Sequence, residues 1–325
     1  MNTQSDAPRR ISFFPLPLPD ELLDSVVSRY HHLSGNSSPL DSFQALYGKR
    51  RKVLPRLLFS SFDRLFERIP NGLFRDINDM IDRLTLVPAF SVLFSDQQVQ
   101  QLRLSLHRDT KVNFATLHKI DRHVIHRNFQ CCPVCVHEEM GRLGTAYWHR
   151  SHQLDGVVVC HRHCCNLISH CVHCGRPVRA DRSIDMPCRC CLGCNRPLPT
   201  VFEYPESVRE LSIRAFEAFS GGLAVCNKDW LANEILRKVQ GKTSEFCAEA
   251  LQRYGEKYCA PDRDSSLSLH GDWLKVALEP HISKYGRDRW RRIVPSLRHI
   301  LIVSNSLFDS WADMVPPQTN FGAAA

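Results

Sequence analysis

Cysteines are the side chains of this sequence best suited to chemistry, and they are concentrated between residues 131 and 194. Twelve of the 15 cysteines lie in this stretch. Several of them are separated from a second cysteine or a histidine by two intervening residues. At that spacing both side chains reach one zinc ion, and two such pairs complete a tetrahedron. We therefore predict two zinc ions per chain. The predicted ligands are Cys132, Cys135, Cys160 and His163 in a first site, and Cys171, Cys174, Cys191 and Cys194 in a second site.

An internal repeat supports the second site. Residues 171–178 (Cys-Val-His-Cys-Gly-Arg-Pro-Val) and 191–198 (Cys-Leu-Gly-Cys-Asn-Arg-Pro-Leu) are near-copies that start twenty positions apart. Each has Gly or Asn directly after its second cysteine, where a zinc knuckle needs a left-handed backbone. Two facing knuckles form a zinc ribbon. Cys190 and Cys188 stay open as alternatives to Cys191, because they lie beside it in the sequence.

Disulfide bonds would be the other use for so many cysteines. They need an oxidising compartment, and the N-terminus has no basic region followed by an apolar run, so we expect no signal peptide. The cysteines are also odd in number and clustered, which is not typical of a small disulfide-bonded scaffold. Zinc binding is the interpretation that we prefer.

The predicted metal sites do not favour catalysis. A catalytic zinc usually keeps three protein ligands and one open position, whereas each site here has four ligands close at hand. His149 and His152 are spaced i, i+3, but no acidic residue stands at a matching interval, and we interpret them as structural or interface residues. No acidic cluster suited to catalytic metal ions is evident. The sequence predicts a protein that is not an enzyme.

Length and composition constrain the rest of the chain. A chain of 325 residues has room for two or three domains, and its 43% hydrophobic and 23% charged residues are typical of a globular protein. No apolar run is long enough to span a membrane. The formal net charge is +8. Thiolates and zinc ions at the two sites would reduce it to roughly +5, which is compatible with a nucleic-acid partner without requiring one.

Helices are predicted on both sides of the cysteine-rich stretch, so the fold class is mainly α with a zinc-ribbon or zinc-knuckle module. We divide the chain into an N-terminal helical domain (1–125), a module with two zinc sites (126–203) and a C-terminal helical domain with a disordered tail (204–325). The first domain contains a helix-turn-helix outline. One helix begins at Asp20, has Leu33 on its buried face and closes at Gly35, and a second begins at Ser38 and stops at Gly48. Most helical hairpins bind no DNA, so the outline alone does not decide the function.

Two basic segments are candidate nucleic-acid contacts. One follows the second helix, and the other combines arginines with aromatic residues at the start of a late helix. Each segment could contact nucleic-acid phosphates or could simply be a solvated surface, and the sequence leaves both interpretations open. A third segment, residues 147–154, interleaves aromatic and basic residues; it could stack on bases, but packing against a zinc site is the interpretation that we favour. The candidate contact residues are Lys49, Arg50, Arg51, Lys52, Arg287, Arg289, Arg291 and Arg292.

Several of these elements together resemble the TniQ/TnsD family, the target-selection proteins of transposons that use a regulatory ATPase. They stand in the family's order and near its intervals, and they cover roughly the first 200 residues. One departure is Asp155, where the family usually has proline. The matching elements are residues 14–29, 132–135, 147–156 and 159–163, and the Cys-x-x-Cys pairs that begin at Cys171 and Cys191.

The resemblance implies a non-enzymatic adaptor that marks an insertion site and recruits the transposon's AAA+ ATPase (TnsC-like), which brings the transposase. The ATPase would meet the region from Phe13 to Arg51 and the helices after it, and the family pattern supports the same eight zinc ligands. The chain would either bind double-stranded target DNA itself or dock on a CRISPR effector of the Cascade type. A zinc-dependent helix-turn-helix transcription regulator is the alternative from another class, and a homodimer stays open. The expected location is the bacterial cytoplasm, at the nucleoid when the protein is on target DNA.

Overall fold

The fold is mainly helical. A computed structural model describes residues 10–48, 61–90, 96–107, 128–179, 184–220, 234–235, 237–240, 242–254, 297–309 and 313. Within these ranges there is no β-strand, and five isolated antiparallel bridges join loop segments. Together with the cysteine groups described below, this confirms the predicted fold class. No helix in the described part of the chain is long and apolar enough to cross a bilayer.

The predicted helical hairpin is present near the N-terminus. Helix α1 spans Leu23–Ser34 and α2 spans Pro39–Tyr47. Each ends at a glycine in the left-handed region, Gly35 at φ 67° and Gly48 at φ 69°. The side chain of Ser38 caps α2 by accepting a backbone N–H from its first turn at 3.3 Å. Local sequence chemistry therefore accounts for the tight turn between the two helices.

The start and the buried face of α1 differ from the prediction. Asp20 lies outside the helix in the left-handed region, at φ 60°, because its carboxylate and its carbonyl are both bonded to the central module. Leu33, which was predicted to face the core, is 65% exposed. The buried face of α1 ends with Tyr30, one turn earlier.

Four further helices complete the described N-terminal part. The first of them, α3 (Phe62–Arg68), contacts α2, α4 (Ile77–Leu84) and α6 (Asp96–His107), and the short helix α5 (Val87–Phe90) contacts both α4 and α6, which also contact each other. Their buried faces include Leu65, Ile81 and Leu102, as the apolar periodicity predicts.

The central module contains one α-helix and many tight loops, and helices follow it. The described elements are α7 (Pro133–Leu143), a 3-10 turn (Ser151–Gln153), α8 (Glu206–Ser220), α9 (Thr243–Tyr254) and α10 (Leu297–Leu307). Helix α8 packs on α9, on α10 and on the 3-10 turn of the central module.

A single hydrophobic core joins described residues from all three predicted domains. Leu46 of α2, Trp148 of the central module, Leu211 of α8 and Leu301 of α10 belong to it. Trp148 is fully buried, and its indole N–H donates to the carbonyl of Asp185 at 2.9 Å. The predicted boundaries after residues 125 and 203 stay a prediction.

Candidate metal centres

The four residues predicted as the first zinc site converge. Their ligand atoms all lie within 4.8 Å of one another. The sulfurs of Cys135 and Cys160 are 3.8 Å apart. Nδ1 of His163 lies 3.4, 3.3 and 3.7 Å from the sulfurs of Cys132, Cys135 and Cys160. Tetrahedral zinc with ordinary bond lengths places its ligand atoms about 3.5–3.8 Å apart. The spacing therefore fits one zinc ion.

The first pair of ligands is built into the start of α7. Cys132 is the N-cap of this helix, and its sulfur accepts the backbone N–H of Cys135 at 3.3 Å. A helix N-terminus stabilises negative charge, as a thiolate ligand requires. Hydrogen bonds from Cys135, Cys160 and Cys165 lower the pKa of Cys132 well below its usual range. The sequence Cys-Pro-Val-Cys thus begins a helix and presents a thiolate at once.

The second pair comes from a tight loop. The N–H of Cys164 donates to the carbonyl of Cys160 at 2.9 Å, and Cys164 adopts a left-handed φ of 50°. The far ring nitrogen of His163, Nε2, lies 3.1 Å from Oε2 of Glu138. A carboxylate on the outer nitrogen of a histidine ligand fixes its ring orientation and raises its basicity. Cys165 is buried with its sulfur 3.3 Å from that of Cys132, outside the group of four.

The second predicted group also converges. The sulfurs of Cys171 and Cys194 are 3.7 Å apart, those of Cys174 and Cys191 are 3.6 Å apart, and all four lie within 4.8 Å of one another. This arrangement could hold one metal ion between four sulfur ligands.

The two knuckles of the second group have the same backbone pattern, as their repeated sequence predicts. In each, the N–H of the first cysteine donates to the carbonyl of the arginine five positions later at 2.8 Å. Gly175 and Asn195 hold the left-handed positions, at φ 70° and 55°.

Cys191, and neither Cys188 nor Cys190, joins this group. The N–H of Gly193 donates to the sulfur of Cys191 at 3.3 Å. Backbone hydrogen bonds from Cys194 and Gly193 lower the pKa of Cys191 to about 6. The thiol of Cys188 instead donates to the carbonyl of Met186 at 3.2 Å. The knuckle backbone therefore selects one sulfur among three neighbours.

A buried charge network lies beside the first group, and the spacing of His149 in the sequence did not reveal it. The acidic partners of His149 come from other elements, which fits its interpretation as a structural residue. Nε2 of His149 lies 2.6 Å from Oε1 of Glu139 in α7, and Nδ1 lies 3.6 Å from Oδ2 of Asp20. Burial alone would lower the pKa of His149, but the neighbouring acidic side chains of Asp20 and Glu139 raise it to about 9. His149 is therefore a cation between two carboxylates at neutral pH.

The same network fixes the N-terminal segment to the central module. Asp20 accepts the hydroxyl of Ser151 at 2.5 Å, and the carbonyl of Asp20 accepts the N–H of Arg150 at 2.7 Å. Tyr147 and Trp148 are buried, with 4% and 0% of their surface exposed. The aromatic residues of the segment therefore pack inside the protein, while their packing against a zinc site stays a prediction.

Asp155, the departure from the family pattern, has a partner in the C-terminal part. Its Oδ1 accepts a hydrogen bond from Nη2 of Arg298 in α10 at 2.7 Å, and both side chains are largely buried. Gly156 has a φ of 91°, and a Cβ there would lie 2.9 Å from Cα of Arg298. Helix α10 therefore rests directly on this turn.

All eight candidate nucleic-acid contacts lie outside the described residues: Lys49, Arg50, Arg51, Lys52, Arg287, Arg289, Arg291 and Arg292.

Comparison with known proteins identifies the segment that carries most of these features. Residues 12–167 match the model of the TniQ family. Over 152 residues the chain is 25% identical to the transposon Tn7 transposition protein TnsD of Escherichia coli; the aligned part is 46% of this chain and 30% of the relative. The chain thus covers less than a third of that relative. Residues 12–167 form a TniQ domain, which confirms the family resemblance, and the first Cys/His group lies inside it while the second lies beyond it.

Proposed function

We propose that this chain is a target-selection adaptor of a transposon, without enzymatic activity of its own. The observation that carries the proposal is the TniQ match over the helical hairpin and the first metal group. The similarity to a transposition protein supports it. In this role the chain binds target DNA and recruits the AAA+ ATPase regulator, which brings the transposase. It works in the bacterial cytoplasm, on the nucleoid when engaged.

We infer further that both cysteine groups bind zinc. Soft thiolate and imidazole ligands at tetrahedral spacing favour zinc over hard cations such as magnesium or calcium. Each group supplies four protein ligands, which closes the coordination sphere. Both ions would then be structural.

The ATPase contact is assigned to the N-terminal region from Phe13 to Arg51. Apolar side chains are exposed there on the extended segment and on α1, which suits contact with a protein. Leu16 is 69% exposed and Leu33 is 65% exposed, while the half-exposed ring of Phe13 packs on Tyr30 with ring centroids 5.3 Å apart.

Direct DNA binding is assigned to the two basic segments, with their eight lysines and arginines as phosphate contacts. On this proposal, residues 1–125 meet the ATPase and also carry the first basic segment, residues 126–203 hold the zinc ions, and residues 204–325 carry the second basic segment. Docking on a CRISPR effector is the competing route, and it needs no strong DNA binding by this chain.

A recruitment assay tests the adaptor role. The zinc-loaded chain is immobilised and challenged with the AAA+ ATPase of the same transposon, with and without duplex DNA. We expect retention of the ATPase, and loss of retention in the variant Leu16→Ser/Leu33→Ser. The matched control Phe202→Ser changes a comparably exposed apolar residue of the central module, outside the proposed ATPase-binding region and outside both metal groups. Equal retention by all three proteins would contradict the assigned surface, and no retention by the wild type would contradict the recruitment role.

A DNA-selection assay tests the recognition route. Random and genomic duplexes are incubated with the protein at near-physiological salt. Enrichment of one sequence, with an affinity that falls as salt rises, is expected for direct recognition. Weak binding without preference would favour recognition through a partner.

A further inference from the structure

His152 is an unexplained buried polar residue. It lies in the 3-10 turn Ser151–Gln153 and has no exposed surface. Among the described residues, neither of its ring nitrogens has a hydrogen-bond partner. A buried polar group without a partner costs about 1–3 kcal/mol. The ring therefore calls for a hydrogen-bond partner among its neighbours in the functional state of the protein.

The sulfur of Cys160 lies beside this ring. A ring nitrogen of His152, the sulfur of Cys160 and a ring nitrogen of His161 all lie within 4.8 Å of one another. Cys160 is also one of the four residues of the first metal group. When Cys160 binds a metal ion, its sulfur is a thiolate. A thiolate accepts a hydrogen bond much better than a free thiol does.

The backbone on both sides of His152 is anchored, so the ring has little freedom to turn away. The hydroxyl of Ser151 donates to Asp20 at 2.5 Å. The side-chain amide of Gln153 donates to the carbonyls of Gln130 and His149, each at 2.9 Å. The ring of His149 also packs on that of His152, with centroids 4.6 Å apart.

A further metal ion held by His152, Cys160 and His161 explains the cluster less well. It would share Cys160 with the first ion and would place a second dication next to it in a buried region. Its remaining coordination position would also lack a fourth protein ligand in the described group. A hydrogen bond uses the same atoms without adding charge.

We propose that His152 is a positioning residue of the first metal centre, whose ring N–H donates a hydrogen bond to the Cys160 thiolate when that sulfur binds zinc. The proposal rests on the inferred zinc site. Such a bond orients the sulfur and spreads its negative charge, and loss of comparable outer partners lowers metal affinity about 10- to 100-fold. At the second site a backbone N–H has this role, since Gly193 donates to Cys191 at 3.3 Å.

Two substitutions separate a hydrogen bond from simple packing. His152→Leu removes the N–H donor, whereas His152→Gln keeps one. Zinc affinity is measured by competition with a chromophoric chelator on the full chain, where the second site is an internal control. We expect His152→Leu to weaken zinc binding at the first site at least 10-fold, His152→Gln to restore most of it, and the second site to stay unchanged in both.

The cobalt-substituted protein gives a spectroscopic readout that packing alone would not move. We expect the sulfur-to-cobalt charge-transfer band of the first site to shift in His152→Leu and to return in His152→Gln. Unchanged affinity and an unchanged band in His152→Leu would overturn the proposal, as would equal losses in both variants. Three zinc ions in the wild type and two in His152→Leu would also overturn it, because His152 would then coordinate a third ion itself. A wild type that binds no zinc at the first site would instead contradict the zinc assignment.

Discussion

The two metal groups of this chain differ in how much of the molecule each holds together. In the first group Cys132, Cys135 and Cys160 are at most 1% exposed, and the ligands come from a helix N-terminus and a distant loop. The second group is formed by two short knuckles of repeated sequence, and Cys174 is exposed. A site assembled from distant elements stabilises their mutual arrangement, whereas a site closed by neighbouring residues stabilises mainly itself.

Contacts around the first group support this distinction. Glu139, one turn after Cys135, reaches the N-terminal segment through His149. The ring of His161, next to Cys160, stacks on Phe216 of α8 with centroids 3.4 Å apart. At the second group, the residues that follow the first cysteine of each knuckle, Val172 and Leu192, are 65% and 51% exposed. The first centre therefore contacts both helical parts, and the second presents its knuckles to solvent.

The largest effect is expected from Cys135→Ser. Loss of a ligand from the first centre should abolish cooperative thermal unfolding, because structural zinc contributes about 10 kcal/mol or more to its module. Circular dichroism at 222 nm checks this. Cys188→Ser, a half-buried cysteine outside both groups, is the matched control and should melt like the wild type. Cooperative melting of Cys135→Ser at the wild-type temperature would contradict the role given to the first centre.

A smaller effect is expected from breaking the ion pair between Asp155 and Arg298 of α10. Asp155→Ala leaves Arg298 without its carboxylate in a largely buried place, which should lower the free energy of unfolding by about 3 kcal/mol. Chemical denaturation measures this. The double variant Asp155→Ala/Arg298→Met should recover part of the loss, because it also removes the buried guanidinium charge that Asp155 offsets. Additive losses would show that the two side chains are not coupled.

His149 should make stability depend on pH. Its folded pKa of about 9 lies above its usual value of 6.5. Its contribution is therefore fully present below pH 6.5 and is lost as pH rises through 9. The contribution is at most roughly 3 kcal/mol. Unfolding free energies at saturating zinc from pH 6 to 9.5 should fall less steeply in His149→Gln than in the wild type. The exposed His170→Gln is the control, and parallel profiles for all three proteins would contradict the charged state of His149.

The smallest effect on stability is expected from Cys174→Ser. This variant should bind one zinc ion instead of two, yet its melting temperature should fall by only about 2 °C or less, as for other substitutions at exposed and locally closed positions. Elemental analysis and calorimetry measure the two quantities. A large loss of stability would show that the second centre also supports the core.

Features encoded by neighbouring residues could be predicted from the sequence. Gly35, Ser38 and Gly48 fix the helical hairpin because each acts on its own turn. The two-residue gap within each Cys-x-x-Cys or Cys-x-x-His pair predicted the members of that pair for the same reason. What joins distant elements could not be predicted. The left-handed Asp20 is stabilised by the central module, and the partners of His149 and Asp155 become neighbours only in the folded chain.

Stepwise removal of zinc tests the difference between the two centres most directly. A chelator is titrated into the zinc-loaded chain while released zinc and helix content are followed together. We expect the first equivalent to leave the exposed second site with almost no loss of helix, and the second equivalent to leave with cooperative unfolding. Loss of helix in step with the first equivalent, or release of both ions in one step, would contradict the account.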